Sequence, residues 1–290
     1  MKPASFQYYC PETLDETLEL LETNGFDAKI LSGGQSLIPM MNMRLARPKI
    51  LVDINRLHEL EFIQIKDDFI HIGGLTRHYQ IENSKELKNI RPILPEAMKF
   101  VGHSQIRSRG TIGGSLVHAD PTAEWPVVLA LLDGTITLQS LDGQRTLDAE
   151  EFFLTYLTTT IEPNEVLVSV QIPRAIGKTG EAMEEFTLRS GDFAIVLAAA
   201  AVTIDDSGKV KNARLALGGV DGVPVVLDEI TDLFTGKVLT DDVIEQSTKS
   251  IVDFIDPEGD IHASGEYRKD LAVTLSNRVL KKAYQRALTL

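Results

Sequence analysis

The sequence has very little cysteine. Among its 290 residues there is a single thiol, Cys10. One thiol cannot form an internal disulfide or a multi-thiolate zinc site, and an iron–sulfur cluster typically takes about four thiolates. Any centre of these kinds must therefore sit on another chain.

Basic residues and long apolar runs are also scarce. Lys and Arg together number 29 against 42 Asp and Glu, which gives a formal net charge of −13. This balance argues against nucleic-acid binding, because neutralising phosphates requires a basic face. No apolar run approaches the roughly 20 residues that cross a bilayer, and the N-terminus lacks the pattern of a signal peptide. We therefore expect a cytoplasmic protein without a membrane span.

The overall composition is that of a folded globular protein, with 43% hydrophobic and 24% charged residues. At roughly 100–200 residues per domain, the length favours two domains. Proline, glycine and lysine cluster at residues 173–180, where the apolar periodicity lapses. We predict one domain over 1–175, with subdomains of about 1–57 and 58–175, and a second domain over 176–290.

Apolar periodicity predicts both helices and strands along the chain. The predicted helices span residues 12–24, 90–101, 240–254 and 266–287, and Thr13, Thr240 and Ser264 are candidate N-caps. The predicted strands span 28–31, 49–54, 166–172, 184–188, 194–204 and 213–218, with hairpins over 62–73 and 135–147. The second hairpin is predicted to turn at Asp142-Gly143. This mixture indicates an α+β fold.

Two glycine-rich segments carry the clearest functional signal. The first glycine loop is Ser32-Gly33-Gly34-Gln35-Ser36, and the second is Gly110-Thr111-Ile112-Gly113-Gly114-Ser115. Glycine lets a ligand approach bare backbone, and successive N–H groups can form an anion-binding nest. One Gly-Gly loop alone is more often an ordinary tight turn, but two with flanking hydroxyls favour phosphate binding. In an acidic chain, two neutral backbone nests would suit an anionic cofactor.

Two familiar phosphate signatures are absent. The first glycine loop lacks the G-x-G-x-x-G spacing of a Rossmann turn. Gly177-Lys178-Thr179 imitates the end of a P-loop, but Ile172 stands where that motif needs its earlier glycine. Neither a Rossmann dehydrogenase nor an ATPase is favoured.

Four separated motifs in a fixed order resemble a known family. They are residues 32–39 with Asn42 and Arg44, residues 105–121 with His118-Ala119-Asp120-Pro121, the Gly191-Asp192-Phe193-Ala194 segment, and Ser264-Gly265-Glu266-Tyr267-Arg268. Together they resemble the FAD-binding medium subunit of molybdenum hydroxylases, of the carbon monoxide dehydrogenase and xanthine dehydrogenase type. The resemblance covers essentially the whole chain.

This resemblance implies a fold and a set of cofactor contacts. The implied fold is α+β: a vanillyl-alcohol-oxidase-like (PCMH-type) FAD-binding domain of two α/β subdomains, followed by an antiparallel sheet with a helical bundle. The implied contacts to noncovalent FAD are Lys29, Ile30, Leu31, Ser32, Gly33, Gly34, Gln35, Ser36, Leu37, Gly102, His103, Ile106, Gly110, Thr111, Ile112, Gly113, Gly114, Ser115, Asp120, Leu167 and Phe193. Catalytic side chains and metal ligands are not expected on this chain.

Two details of the site have alternative interpretations. Gln35 stands where many members of the family have histidine, which changes one hydrogen-bonding side chain. Arg107 and Arg109 form a local basic patch with His103, which acts either as a solvated turn or as a contact for phosphate or an anionic acceptor. For Arg109 we favour the solvated turn.

The resemblance also implies a role in a larger assembly. The chain is expected to carry electrons on FAD from [2Fe–2S] clusters of a small iron–sulfur subunit to an external acceptor. A large subunit would hold the molybdenum cofactor, and the assembly would be a dimer of heterotrimers. One alternative is a self-sufficient FAD-dependent oxidoreductase with its own small-molecule substrate. Another is a scaffold that has lost the cofactor, against which the intact glycine loops argue.

Overall fold

A computed structural model describes residues 2–290. The N-terminal region contains a small parallel sheet. Its strands are β1 (Gln7–Tyr9), β2 (Ala28–Leu31) and β3 (Ile50–Asp53), and its helices are α1 (Leu14–Asn24) and α2 (Leu37–Asn42). The strand order is β1-β3-β2, with both pairs parallel. Because parallel strands end at one edge of a sheet, the first glycine loop after β2 lies near Asn55 after β3.

The middle region contains the most elements. Its strands are β4 (Ile63–Ile65), β5 (Phe69–Gly73), β6 (Thr135–Ser140), β7 (Gly143–Asp148), β8 (Phe153–Thr155), β9 (Thr158–Thr159) and β10 (Val166–Pro173). Its helices are α3 (His78–Asn83), α4 (Lys85–Ile90), α5 (Ile93–Ala97), α6 (Ser104–Arg107), α7 (Ile112–His118), α8 (Glu124–Leu131) and α9 (Ala149–Phe152). Five strands form an antiparallel sheet in the order β4-β5-β10-β6-β7, while β8 and β9 form a separate ribbon. Helix α8 is apolar after its first residue, Glu124, and is buried against this sheet.

Two predictions in the middle region were wrong in detail. The helix predicted over 90–101 is only the five-residue α5, with α4 ending before it. Arg91 separates the two at φ −148° and ψ 75°, because a residue before proline is pushed out of the helical region by the ring of Pro92. The hairpin predicted over 135–147 is present, but Ser140 pairs with Gly143, so its two-residue turn is Leu141-Asp142.

The C-terminal region is a four-stranded antiparallel sheet covered by helices. Its strands are β11 (Lys178–Phe186), β12 (Val196–Ile204), β13 (Val210–Gly218) and β14 (Val225–Val226), in that order. Its helices are α10 (Asp228–Thr231), α11 (Asp241–Thr248) and α12 (Gly265–Leu288). The side chains of Thr240 and Ser264 cap α11 and α12. Strand β11 starts six residues before the predicted strand. The prediction missed this part because Glu181 interrupts the apolar pattern, although it is buried and pairs with Arg91 at 2.9 Å.

The C-terminal sheet is buried on both faces. On β12, Ala198 and Ala200 join the core beneath α12, whereas Leu197 and Ala199 join the core shared with α8. The backbone of α12 lies so close to β11 that a Cβ on Gly180 would be 2.0 Å from the Ala283 carbonyl oxygen. Apolar packing therefore fixes this sheet against the middle region. Within residues 2–290, no helix combines the length and apolarity needed to span a membrane.

Candidate functional site

A cleft of about 420 Å³ lies where the N-terminal and middle regions meet. One wall is the first glycine loop and the start of α2. The opposite wall comes from the middle region. The lining residues are Leu31, Ser32, Gly33, Gly34, Gln35, Ile38, Pro39, Asn55, Arg77, Ile106 and Arg109.

The two glycine loops are in direct contact beside this cleft. The Thr111 hydroxyl donates a hydrogen bond to Ser32 Oγ at 3.2 Å, across 79 positions of sequence. A Cβ on Gly33 would lie 2.5 Å from the Arg109 carbonyl oxygen, and a Cβ on Gly114 would lie 2.8 Å from Ser32 Oγ. Glycine is therefore required at position 33, where the neighbour is backbone, while a side chain at position 114 would displace the hydroxyls of Ser32 and Thr111.

The first glycine loop has the features of an anion nest. Within residues 2–290, the backbone N–H groups of Gly33, Gly34 and Gln35 donate to no protein acceptor. Gly34 has a φ of +70°, a left-handed conformation that glycine adopts without strain. Consecutive N–H groups around such a residue form a concave donor surface for an anion.

The second glycine loop has already used most of its donors. The N–H groups of Gly110, Ile112 and Gly113 donate to the carbonyls of Ile106, Thr76 and Gly74, respectively. Those of Gly114 and Ser115 donate to the side chain and carbonyl of Thr111, which caps α7. The prediction of an open nest was therefore wrong for this loop. Direct contact of its residues with FAD stays a prediction.

Two residues absent from the predicted site connect the walls of the cleft. The Arg77 guanidinium donates to Asn55 Oδ1 at 2.5 Å and to the Arg109 carbonyl oxygen. Asn55 Nδ2 in turn donates to the Ser32 carbonyl oxygen at 2.9 Å. Arg77 and Asn55 are 22 positions apart and belong to no recognisable motif, so no sequence signal points to the pair.

Positive charge lines the cleft although the chain as a whole is acidic. Arg77 and Arg109 both line it. The side chain of Arg109 is exposed there, so the choice between a solvated turn and a phosphate contact stays a prediction. Burial lowers the pKa of Arg77, yet an arginine keeps its charge in proteins. Arg107 turns away and forms an ion pair with Glu82 at 2.8 Å. The cleft therefore adds two arginine side chains to the neutral backbone donors that the sequence analysis expected to face an anion.

A buried pair of aromatic rings, His78 and Trp125, packs against the second glycine loop. Trp125 Nε1 donates to His78 Nδ1 at 3.0 Å, and the two rings are stacked. Burial lowers the pKa of His78 to about 3, so the imidazole is neutral near pH 7. The backbone N–H of His78 donates to the Gly110 carbonyl, and a Cβ on Gly110 would lie 2.6 Å from the ring. The sequence analysis did not identify His78.

Only some of the predicted FAD-contact residues line the cleft. The predicted residues that line it are Leu31, Ser32, Gly33, Gly34, Gln35 and Ile106. Those that lie next to it are Lys29 and Ile30 on β2, Ser36 and Leu37 at the start of α2, and residues 110–115 of the second loop. Ile38, Pro39, Asn55, Arg77 and Arg109 line it in addition.

The remaining predicted residues lie away from the lining. The exposed Phe193 belongs to the loop between β11 and β12, whose Gly191 packs against the ring of His103 before α6. Asp120 accepts hydrogen bonds from the backbone and hydroxyl of Thr122. Leu167 is buried in the middle core, and Gly102 precedes His103 at a φ of +45°. Their contacts with FAD stay predictions.

Comparison with known proteins agrees with this arrangement. Residues 4–175 match the family described as "FAD binding domain in molybdopterin dehydrogenase". Residues 181–283 match the "CO dehydrogenase flavoprotein C-terminal domain". The chain belongs to the FAD-binding medium subunits of the molybdenum hydroxylases. The predicted family and its oxidoreductase class are thereby confirmed.

Individual relatives match over their full length. The alpha subunit of the 6-hydroxypseudooxynicotine dehydrogenase complex of Paenarthrobacter nicotinovorans is 42% identical, over 99% of this chain and 97% of the relative. Quinoline 2-oxidoreductase from Pseudomonas putida 86 superposes with a TM-score of 0.95 at 34% identity, covering 99% of this chain and 100% of that one. Carbon monoxide dehydrogenase from Hydrogenophaga pseudoflava superposes with a TM-score of 0.95 at 32% identity, covering 99% of each chain. The predicted fold is therefore confirmed.

Proposed function

We propose that this chain is the FAD-carrying electron-transfer subunit of a molybdenum-containing hydroxylase or dehydrogenase. In this role it passes electrons from partner [2Fe–2S] clusters to an external acceptor. The observation that carries the proposal is the cleft, which combines three free backbone N–H groups of the first glycine loop with the cations of Arg77 and Arg109.

These residues fit the pyrophosphate of FAD. The N–H groups of Gly33, Gly34 and Gln35 would donate hydrogen bonds to phosphate oxygens without desolvating a side chain, and the two guanidinium groups would balance the negative charge. Bound FAD supplies a centre that accepts and releases electrons singly or in pairs. The contribution of this chain is to bind that group noncovalently and to orient it.

The proposed partners are an iron–sulfur small subunit and a molybdopterin-binding large subunit, assembled as a dimer of heterotrimers. The names of relatives as subunits and medium chains support a multi-subunit assembly. With Cys10 as the single cysteine, thiolate-held clusters belong in this proposal to the partners. A cytoplasmic location stays a prediction of the sequence.

We also propose the division into domains of 1–175 and 176–290, the first with subdomains of about 1–57 and 58–175. The separate sheets support it, because the parallel sheet, the five-stranded sheet and the four-stranded sheet follow one another along the chain. The ranges matched by the two family descriptions, 4–175 and 181–283, also support it. Limited proteolysis of the full-length protein tests the main boundary: cleavage is expected in the segment 174–177 between β10 and β11, and cleavage only within one of the two ranges contradicts it.

Purification of the chain from its native source tests the proposed function. We expect a yellow protein whose flavin is released by denaturation, and whose apoprotein takes up one equivalent of added FAD. Co-elution with chains that contain iron and molybdenum is expected as well. A colourless protein that refuses FAD contradicts flavin binding, and a solitary chain that turns over its own substrate contradicts the subunit role.

A further inference from the structure

Two side-chain amides hold the carbonyl groups of the first glycine loop. Asn55 Nδ2 donates to the Ser32 carbonyl oxygen and Gln35 Nε2 donates to the Gly33 carbonyl oxygen, both at 2.9 Å. In a trans peptide unit the C=O and the N–H that follows it point in opposite directions. Holding the Ser32 carbonyl therefore fixes the direction of the Gly33 N–H, and holding the Gly33 carbonyl fixes that of the Gly34 N–H.

Asn55 is itself held in place by charged neighbours. Its Oδ1 accepts from Arg77 Nη2 at 2.5 Å, while its Nδ2 and its backbone N–H both donate to Asp53 Oδ1, at 2.5 and 2.9 Å. An amide that accepts from a guanidinium must present its oxygen there, which leaves its nitrogen to serve Ser32. Arg77 thus determines the orientation of the Asn55 amide.

Arg77 also reaches the second glycine loop. Its guanidinium donates to the Arg109 carbonyl, and its backbone forms an antiparallel bridge with Thr111. The side chain is half-buried and arises from the middle region, whereas Asn55 follows the last strand of the parallel sheet. One guanidinium thus joins the middle region to the residue that orients the nest.

We propose that Arg77 and Asn55 are positioning residues that orient the Gly33 N–H for the flavin pyrophosphate. The inference rests on the proposed function. Asn55 acts through the Ser32 carbonyl, and Arg77 acts through Asn55. Arg77 also brings its charge to the cleft, so a test must separate charge from orientation.

A double-mutant cycle first tests whether the two residues act through the same peptide unit. We would prepare full-length apoprotein as wild type, Asn55→Ala, Arg77→Lys and the double variant, and titrate each with FAD by flavin fluorescence. Each single substitution is expected to raise the FAD Kd about tenfold, because one preorganised donor is lost. Since both residues act on one peptide unit, the double variant is also expected near tenfold, whereas independent roles would multiply to about a hundredfold.

Salt dependence separates orientation from charge. Asn55→Ala and Arg77→Lys keep the charge of the cleft, so both should retain the wild-type dependence of Kd on salt, while Arg77→Met should weaken it. The matched control is Asn83→Ala, which removes an exposed amide-to-carbonyl hydrogen bond of 2.7 Å to Tyr79 and should leave the Kd unchanged. The melting temperature of each apoprotein is recorded alongside.

The outcomes are distinguishable. A wild-type apoprotein that binds no FAD overturns the proposed function. A wild type that binds FAD with an unchanged Kd in Asn55→Ala, or with a hundredfold loss in the double variant, overturns only this inference. If Asn55→Ala does not fold, Arg77→Lys tests the same orientation, because it disturbs the Asn55 amide and keeps the charge. A Kd raised about tenfold with an unaltered melting temperature supports the inference, and an unchanged Kd overturns it.

Discussion

The two glycine loops have similar sequences and opposite uses of their backbone. In the first loop, the N–H groups of Gly33, Gly34 and Gln35 are free within residues 2–290. In the second, the N–H groups of Gly113 and its neighbours are paired inside the protein. A Gly-Gly pair therefore predicts that something approaches the backbone closely, and it does not say whether that is a ligand or another part of the chain.

Gly113 and Gly34 differ in the neighbours that an added Cβ atom would contact. A Cβ on Gly113 would lie 2.6 Å from the Gly74 carbonyl oxygen, which is backbone at the end of β5. A Cβ on Gly34 would lie 3.0 Å from Leu31 Cδ1 and 3.1 Å from Ile38 Cγ1, which are flexible side-chain atoms. Gly33 of the first loop also packs against backbone, at the Arg109 carbonyl, so the loops differ mainly in their N–H groups. From those groups we infer that the second loop is a structural wall and the first is the binding surface.

The largest expected effect is a loss of stability from a substitution in the second glycine loop. Gly113→Ala should lower the free energy of unfolding of the apoprotein by about 3 kcal/mol, because backbone cannot yield to an added methyl group. Chemical denaturation measures the change. The control is Gly259→Ala, whose Cβ would have its nearest neighbours at 3.4 Å, an ordinary contact. A loss below about 0.5 kcal/mol would contradict the structural role of the second loop.

Acid should destabilise the packing behind the second glycine loop, because His78 is neutral in the folded protein. Its pKa is lowered from 6.5 to about 3 in the folded protein, so between these values the unfolded chain binds a proton that the folded chain excludes. The contribution of His78 to the free energy of unfolding is fully present above pH 6.5. It falls as pH is lowered, by about 2 kcal/mol at pH 5. Unfolding of wild type and His78→Gln at pH 8 and pH 5 measures this, since glutamine still offers Trp125 an acceptor.

The comparison with His78→Gln is needed because other groups titrate in the opposite sense. Burial raises the pKa of Glu124 to about 7 and that of Glu185 to about 8. These carboxyl groups lower stability as pH rises from 4.5, but they are present in both proteins and cancel in the difference. An equal pH dependence in wild type and variant would show that His78 does not support the second loop.

A smaller loss of stability is expected from a substitution in the first glycine loop. Gly34→Ala should cost about 1–2 kcal/mol of unfolding free energy, because alanine is strained at a φ of +70°. FAD affinity should fall about tenfold or more at the same time, since the free N–H groups on either side of the residue change direction. The apoprotein Tm and an FAD titration give the two values. If FAD affinity is retained, the first loop is not the anion nest.

The smallest effect is expected from the exposed cation of the cleft. Arg109→Gln should raise the FAD Kd about threefold at low salt and have less effect at high salt, because an exposed charge is screened. The control is Arg174→Gln, which removes a guanidinium that donates to the Asp67 carbonyl on a hairpin outside the cleft lining. Equal results for the two variants would remove Arg109 from the binding surface.

Local features of the fold were predictable and nonlocal ones were not. The caps at Thr13, Thr240 and Ser264 were identified correctly, because a capping side chain bonds a backbone N–H three residues away. The extent of β11 was missed, because Glu181 lies on a buried face only through its pairing with Arg91, 90 positions earlier in the chain (181 − 91). A charged residue in such a strand masks the apolar pattern.

The sequence by itself determined the family, the two glycine loops and the exclusion of thiolate-held clusters from a chain with one cysteine. Each of these depends on residue identity and short spacing alone. Only the tertiary structure decided which loop keeps its N–H groups free, and which side chains, Arg77 and Asn55, hold it in place. The physical reason is that a backbone N–H is available to a ligand only if no acceptor reaches it. Those acceptors, such as the Gly74 carbonyl beside Gly113, come from segments that folding alone brings together.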